Sequence, residues 1–115
     1  MIIVNTKHIL KTQTIYISGP MTGLPDYNRA AFNLREEAFR AAGYENVLNP
    51  AKISEQNGDG RPYEWYLKKA LSMMLNADVL YVFGDVTTSR GVDLELYVAS
   101  RLRMPIVFEG GGYVR

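Results

Sequence analysis

The chain has 115 residues, 47% of them hydrophobic and 22% charged, with a formal net charge of +1. That is one domain with enough apolar mass for a core of its own, and a charge so near zero argues against a dedicated nucleic-acid polymer or polyanion binder. There is no cysteine and one histidine, His8, which excludes disulfides, thiolate metal sites and His-rich metal sites.

Residues 1–13 lead into the domain. Met1 to Val4 reads as an edge strand or as an arm onto a neighbouring subunit. It is too short for a signal peptide, and no apolar run approaches a membrane span, so a cytoplasmic protein with no membrane contact is expected. Thr14-Ile-Tyr-Ile-Ser18 is the first strand. It ends in Gly19-Pro-Met-Thr-Gly23-Leu-Pro25-Asp26, where glycines allow a ligand close to the backbone and prolines stiffen the loop. The plainer reading is a simple strand–helix connection, but the loop exceeds the usual roughly two to six residues. A helix is expected from about Asn28 to Ala42, capped by Asp26 or Asn28 and stopped at Gly43. Its apolar stripe reads as Ala31, Leu34, Ala38, Ala41 and Ala42, with Phe32 and Phe39 beside it.

Glu45 to Asn49 is a short second strand ended by Pro50. Ser54 to Arg61, holding Asn57-Gly58-Asp59-Gly60, reads as a mobile connection or a lid. Pro62 suits the first turn of a helix to about Ala77, with Tyr63, Tyr66, Leu67, Ala70, Leu71 and Met74 as its stripe and Trp65 flanking it. Val79 to Phe83 is a continuous apolar run, rich in β-branched and aromatic residues, as a central parallel strand requires. Gly84 ends it, Asp85 to Thr88 form a polar loop, and Ser89 caps a helix from about Arg90 to Arg103. Met104 to Phe108 is a fourth strand, and residues 109–115 read as a flexible tail or a partner contact.

This order predicts an α/β, single-domain, doubly wound parallel sheet of the Rossmann or flavodoxin-like kind over 14–108, with four or five strands in the order 2-1-3-4. Ligands of such sheets sit beyond the carboxyl ends of the strands, at the point where the order reverses. The loops Gly19–Pro25 and Asp85–Gly91 should therefore face each other across one crevice. The N–H groups of Gly91 and Val92 at the helix start are expected to be free for an anion, with Arg90 beside them. Glu95 is the unusual residue. Three- and four-residue steps put it on the apolar face with Val92, Ala99 and Leu102, where a carboxylate is costly unless paired or used. It is either a satisfied core carboxylate or a functional one.

The residues Ile15-Tyr-Ile-Ser-Gly-Pro-Met-Thr-Gly23, Asn28 and Phe32, Asn49-Pro50, Ala77-Asp-Val79, Ser89-Arg-Gly-Val-Asp-Leu-Glu95 and Pro105 together resemble the nucleoside 2-deoxyribosyltransferase superfamily. The resemblance is nearest to a branch common in phages and bacteria, and the Ser-x-Gly-x-x-x-Glu spacing is similar to that of 2'-deoxynucleoside 5'-monophosphate N-glycosidases. It implies that Glu95 is the nucleophile toward the anomeric carbon, that Tyr16 orients it, and that Ser89 meets a 5'-phosphate. It implies that Gly19, Met21 and Gly23 line the base and sugar; Pro20, Asn28, Asp85, Arg90 and Gly91, on the same two loops and helix starts, are further candidate substrate contacts. It also implies no cofactor and no metal, a nucleotide or nucleoside as ligand, and a homo-oligomer. One position departs. Relatives carry an aspartate, the general acid toward the leaving base, where this chain has Ala70; Asp85 is a candidate replacement. An enzyme acting on the N-glycosidic bond, a nucleotide-binding sensor or sequestering protein, and a structural domain are therefore all open readings at this point.

Overall fold

Side chains alternate in direction along a strand, and here that alternation builds one apolar layer on each face of a single sheet. The computed structural model describes residues 2–114. Its strands are β1 (Ile15–Ser18), β2 (Val47–Leu48), β3 (Val79–Val82), β4 (Ile106–Phe108) and β5 (Tyr113–Val114), in the order β2-β1-β3-β4-β5. The first four pair in parallel and β5 runs antiparallel to β4. The expected α/β fold and strand order are both present. Ile15, Ile17, Val79 and Tyr81 meet α1 (Arg29–Ala41) through Phe32 and Phe39. Tyr16, Leu80 and Val82 meet α3 (Tyr63–Met74) and α4 (Arg90–Arg101) through Met74, Val92 and Ala99.

Several local expectations shift. Phe32 and Phe39 are fully buried while Leu34 is 46% exposed, so α1 is turned toward its aromatic edge. Two overlapping stripes competed there, and the larger rings displace more water-exposed area. Leu102 lies past the end of α4 and is exposed. Asp26 and Asn28 make no side-chain cap for α1; Asp26, Tyr27 and Asn28 instead form a left-handed turn with φ of 50°, 53° and 61°. Left-handed backbone costs roughly 1–2 kcal/mol per residue with a Cβ, so the surrounding loop must hold this turn in place. Asn28 helps by donating to the Pro20 carbonyl at 2.9 Å.

A helix not anticipated, α2 (Ala51–Asn57), fills part of the stretch read as a loop. Asn49, itself buried, accepts from the Ala51 N–H at 3.0 Å and donates to Asn33 and Glu36 of α1, which seats the start of α2. The segments 2–13 and 109–114 are also tied down. Residues 2–13 contain no strand, and Met1 lies outside the described residues. Val4 and Ile9 are buried in the chain's own core, and the Asn5 N–H donates to the Tyr81 hydroxyl at 2.9 Å. Glu109 takes a two-pronged pair from Arg35 at 3.0 and 2.8 Å, and Tyr113 stacks on His8. The expected flexible tail, 109–115, thus carries the two-residue edge strand β5 in its described part; Arg115 lies outside the described residues. Among the described residues no helix is long and apolar enough to cross a membrane.

Candidate active site

The two-residue period of β1 sends Tyr16 and Ser18 to the same face of the sheet, the face that α4 covers. The helical period of α4 brings Glu95 to them between Val92 and Ala99. Glu95 is 5% exposed, and both its oxygens accept hydrogen bonds: Oε2 from the Tyr16 hydroxyl, Oε1 from Ser18 Oγ at 2.7 Å. No cation pairs with it among the described residues. Burial pushes its carboxyl up to about 7, against the lowering effect of the two hydroxyls. Burial first, and the adjacent carboxylate second, hold the Tyr16 hydroxyl well above its usual range, so Tyr16 stays a donor.

Glu95 opens onto a crevice of about 340 Å³. Of the residues expected at the site, Tyr16, Gly19, Met21, Ser89, Gly91 and Glu95 line it. Ser89 caps α4 as expected, but its Oγ accepts the Val92 N–H at 3.2 Å, so that donor is not free for an anion. Pro20, Asn28, Asp85 and Arg90 line an adjoining groove instead, and Gly23 lines neither space. Asp85 therefore does not stand in for an acid at position 70. It is exposed, accepts from the Thr87 hydroxyl and N–H at 2.8 and 3.2 Å, and those bonds hold its carboxyl below the usual range. Asp78 sits at the amino end of β3, where it accepts from the Thr14 N–H at 2.8 Å, away from the crevice.

The opposite wall comes from α3 and the segment before it. Tyr63, Tyr66, Leu67 and Ala70 line the crevice, so the stripe read as core is partly a ligand wall; Trp65 is not part of it. Asp59 and Arg61 line the mouth. Asp59 is ion-paired with Arg29, while the Tyr66 hydroxyl donates to the Gly58 carbonyl at 2.5 Å and accepts from the Arg61 N–H at 3.1 Å. The segment read as mobile is thus pinned from both sides. Ser18 was recoverable from the sequence, because it lies two residues from Tyr16. The Arg29–Asp59 pair was not, since nothing local links positions 30 residues apart.

Gly84 ends β3 with φ +78°, and a Cβ there would lie 3.1 Å from Pro20 Cδ, so the two crevice loops meet in close contact. Among the described residues no group of three His, Cys, Asp or Glu side chains is arranged for a metal ion.

No curated protein and no solved structure matches this chain. A family model does, over residues 13–108, described as a domain of unknown function, DUF4406. The match spans the whole β1–β4 unit that builds the crevice, and on it the chain belongs to the DUF4406 family.

Proposed function

We propose that this protein cleaves or transfers at the N-glycosidic bond of a (deoxy)nucleoside 5'-monophosphate, with Glu95 as nucleophile. The observation that carries this reading is a buried carboxylate without a cation, aimed by Tyr16 and Ser18 and open to a ligand-sized crevice. A structural carboxylate of this kind would be better closed off or ion-paired. The phosphate is assigned to the Ser89 hydroxyl and the Gly91 N–H, at the positive end of α4. Ala70 favours a second reading, a nucleotide binder with little chemistry, since the α3 wall offers a methyl group where an acid would serve.

Incubation with a panel of nucleotides and detection of free base tests the first reading. Binding without release would move the assignment to the second. Calorimetry is expected to show at least about tenfold tighter binding of a monophosphate than of its nucleoside, because only the phosphate meets the helix start. Equal affinities would remove the phosphate assignment.

A homo-oligomer is part of the proposal. Val4 and Tyr113 are used within the chain, but Leu75, Tyr97 and Leu102 remain more than half exposed around the α3 and α4 ends. Light scattering at micromolar concentration is expected to report a multiple of 13.0 kDa. A monomer at that concentration would count against it.

A further inference from the structure

The crevice has a nucleophile without a second, uncommitted carboxyl group to protonate a leaving base. Two carboxyl side chains line it among the described residues, Glu95 and Asp59. Asp59 is ion-paired with Arg29, and Arg29 is itself held: its side chain is 16% exposed, Asp26 lies 3.5 Å away, and its guanidinium sits 5.5 Å from the Tyr27 ring. That carboxylate is engaged by Arg29 rather than by a ligand. The Tyr66 hydroxyl is committed to the Gly58 carbonyl, and Ala70 offers nothing.

An ordinary nucleobase leaves a sugar as an anion unless it is protonated, which is why a general acid typically contributes about 10²–10⁴-fold. A pyridinium joined to C1′ through its ring nitrogen carries its positive charge already and leaves neutral. The walls suit such a ring. Tyr27, Tyr63 and Tyr66 supply aromatic surface on which a cationic ring can lie. Arg61 lines the mouth of the crevice, with its guanidinium 4.6 Å from the ring of Trp65, a residue that is not part of the lining. Past Ser89 the crevice continues into the adjoining groove, of about 700 Å³, with which it shares Met21, Thr22, Tyr63 and Ser89. That groove has room for whatever lies beyond the phosphate.

We infer that the substrate class is an N-ribosylpyridinium nucleotide, either the nicotinamide mononucleotide or the dinucleotide built on it. This rests on Glu95 acting as the nucleophile. The bond between C1′ and the ring nitrogen breaks, and its electron pair neutralises the pyridinium. A Glu95 oxygen forms an ester bond to C1′. Water then adds its hydroxyl at C1′, the ester bond returns its electrons to the carboxylate, and the second water proton passes to solvent. No oxidant, reductant or enzymic acid is required.

The test is product analysis on the full chain with five probes: nicotinamide mononucleotide, the oxidised dinucleotide, the reduced dinucleotide, dAMP and dCMP. Free nicotinamide is expected from the oxidised probes at least about 100-fold faster than base from dAMP or dCMP, and the reduced dinucleotide, which has no ring charge, is expected to yield nothing. Release from either oxidised probe supports the inference, and the faster one identifies the source. Ala70→Asp is expected to lower the nicotinamide-to-base ratio by speeding base release. If dAMP or dCMP is cleaved as fast as the pyridinium probes, the inference falls and the Glu95 reading stands. If nothing is cleaved, or if nicotinamide release survives Glu95→Gln, both fall.

Discussion

Glu95→Gln is expected to abolish base release, by at least about 10³-fold, and to make the protein more stable above neutral pH. Glutamine keeps the shape and the partners: its carbonyl accepts from Tyr16, and its amide donates to Ser18 Oγ. What it loses is the charge. The folded carboxyl titrates at about 7 against an ordinary 4.5, with burial as the main cause. Folding therefore takes up a proton between those values. The stabilising contribution is complete below about pH 4.5 and is lost as pH rises through 7. The difference corresponds to about 3 kcal/mol, or roughly 10 °C in Tm for a domain of this size. Melting curves of both proteins at pH 5 and pH 8 test this. The variant's advantage should open at pH 8 and shrink at pH 5; a gap that ignores pH would show that Glu95 is not buried as a charge. In the active protein kcat/KM should rise with pH through about 7, as the nucleophile ionises. Tyr16→Phe should lower the rate less, and should shift that limb upward, because one of the two hydroxyls that favour the carboxylate is gone.

Gly19→Ala is expected to cost about 1–3 kcal/mol, the usual range for overpacking a filled site. Gly19 has no positive φ, so space rather than backbone strain decides. A Cβ there would lie 2.3 Å from Phe83 Cε1. The ring is buried, packs edge-on against Phe32 at 4.9 Å, and carries the Arg35 guanidinium at 4.2 Å, so it cannot swing aside freely. Arg35 is in turn fixed on Glu109. The expected result is a Tm lowered by roughly 5–15 °C, together with weakened nucleotide binding, because Gly19 is part of the crevice wall. Phe83→Leu in the same chain should recover much of the loss by vacating the contact. A Gly19→Ala protein that melts with the wild type would mean that the ring relaxes without cost.

Strand order, parallel pairing and the meeting of the two crevice loops follow from local patterns alone. Alternating strands and helices leave few ways to wind a sheet, and the apolar run Val79–Phe83, short and rich in β-branched and aromatic residues, reads as a strand buried on both faces, which β3 is. The Ser89 cap and the inward position of Glu95 follow from helix geometry for the same reason: three- and four-residue steps do not depend on the rest of the fold. Positions that local pattern misassigned were decided by the packing. On α1 the Leu34 and Phe32–Phe39 stripes overlap, and only the sheet's surface chooses the aromatic one. The seven residues of α2 are too few to show a period, and they hold as a helix because Asn49, from outside it, takes the Ala51 N–H. β5 exists because β4 offers an edge for it. The Ser18 hydroxyl on Glu95, the Arg29–Asp59 clamp and the raised Glu95 carboxyl depend on groups distant in sequence and on burial by the packed layers. Chain order constrains direction and period, while the partner of a buried charge is settled only when the layers close.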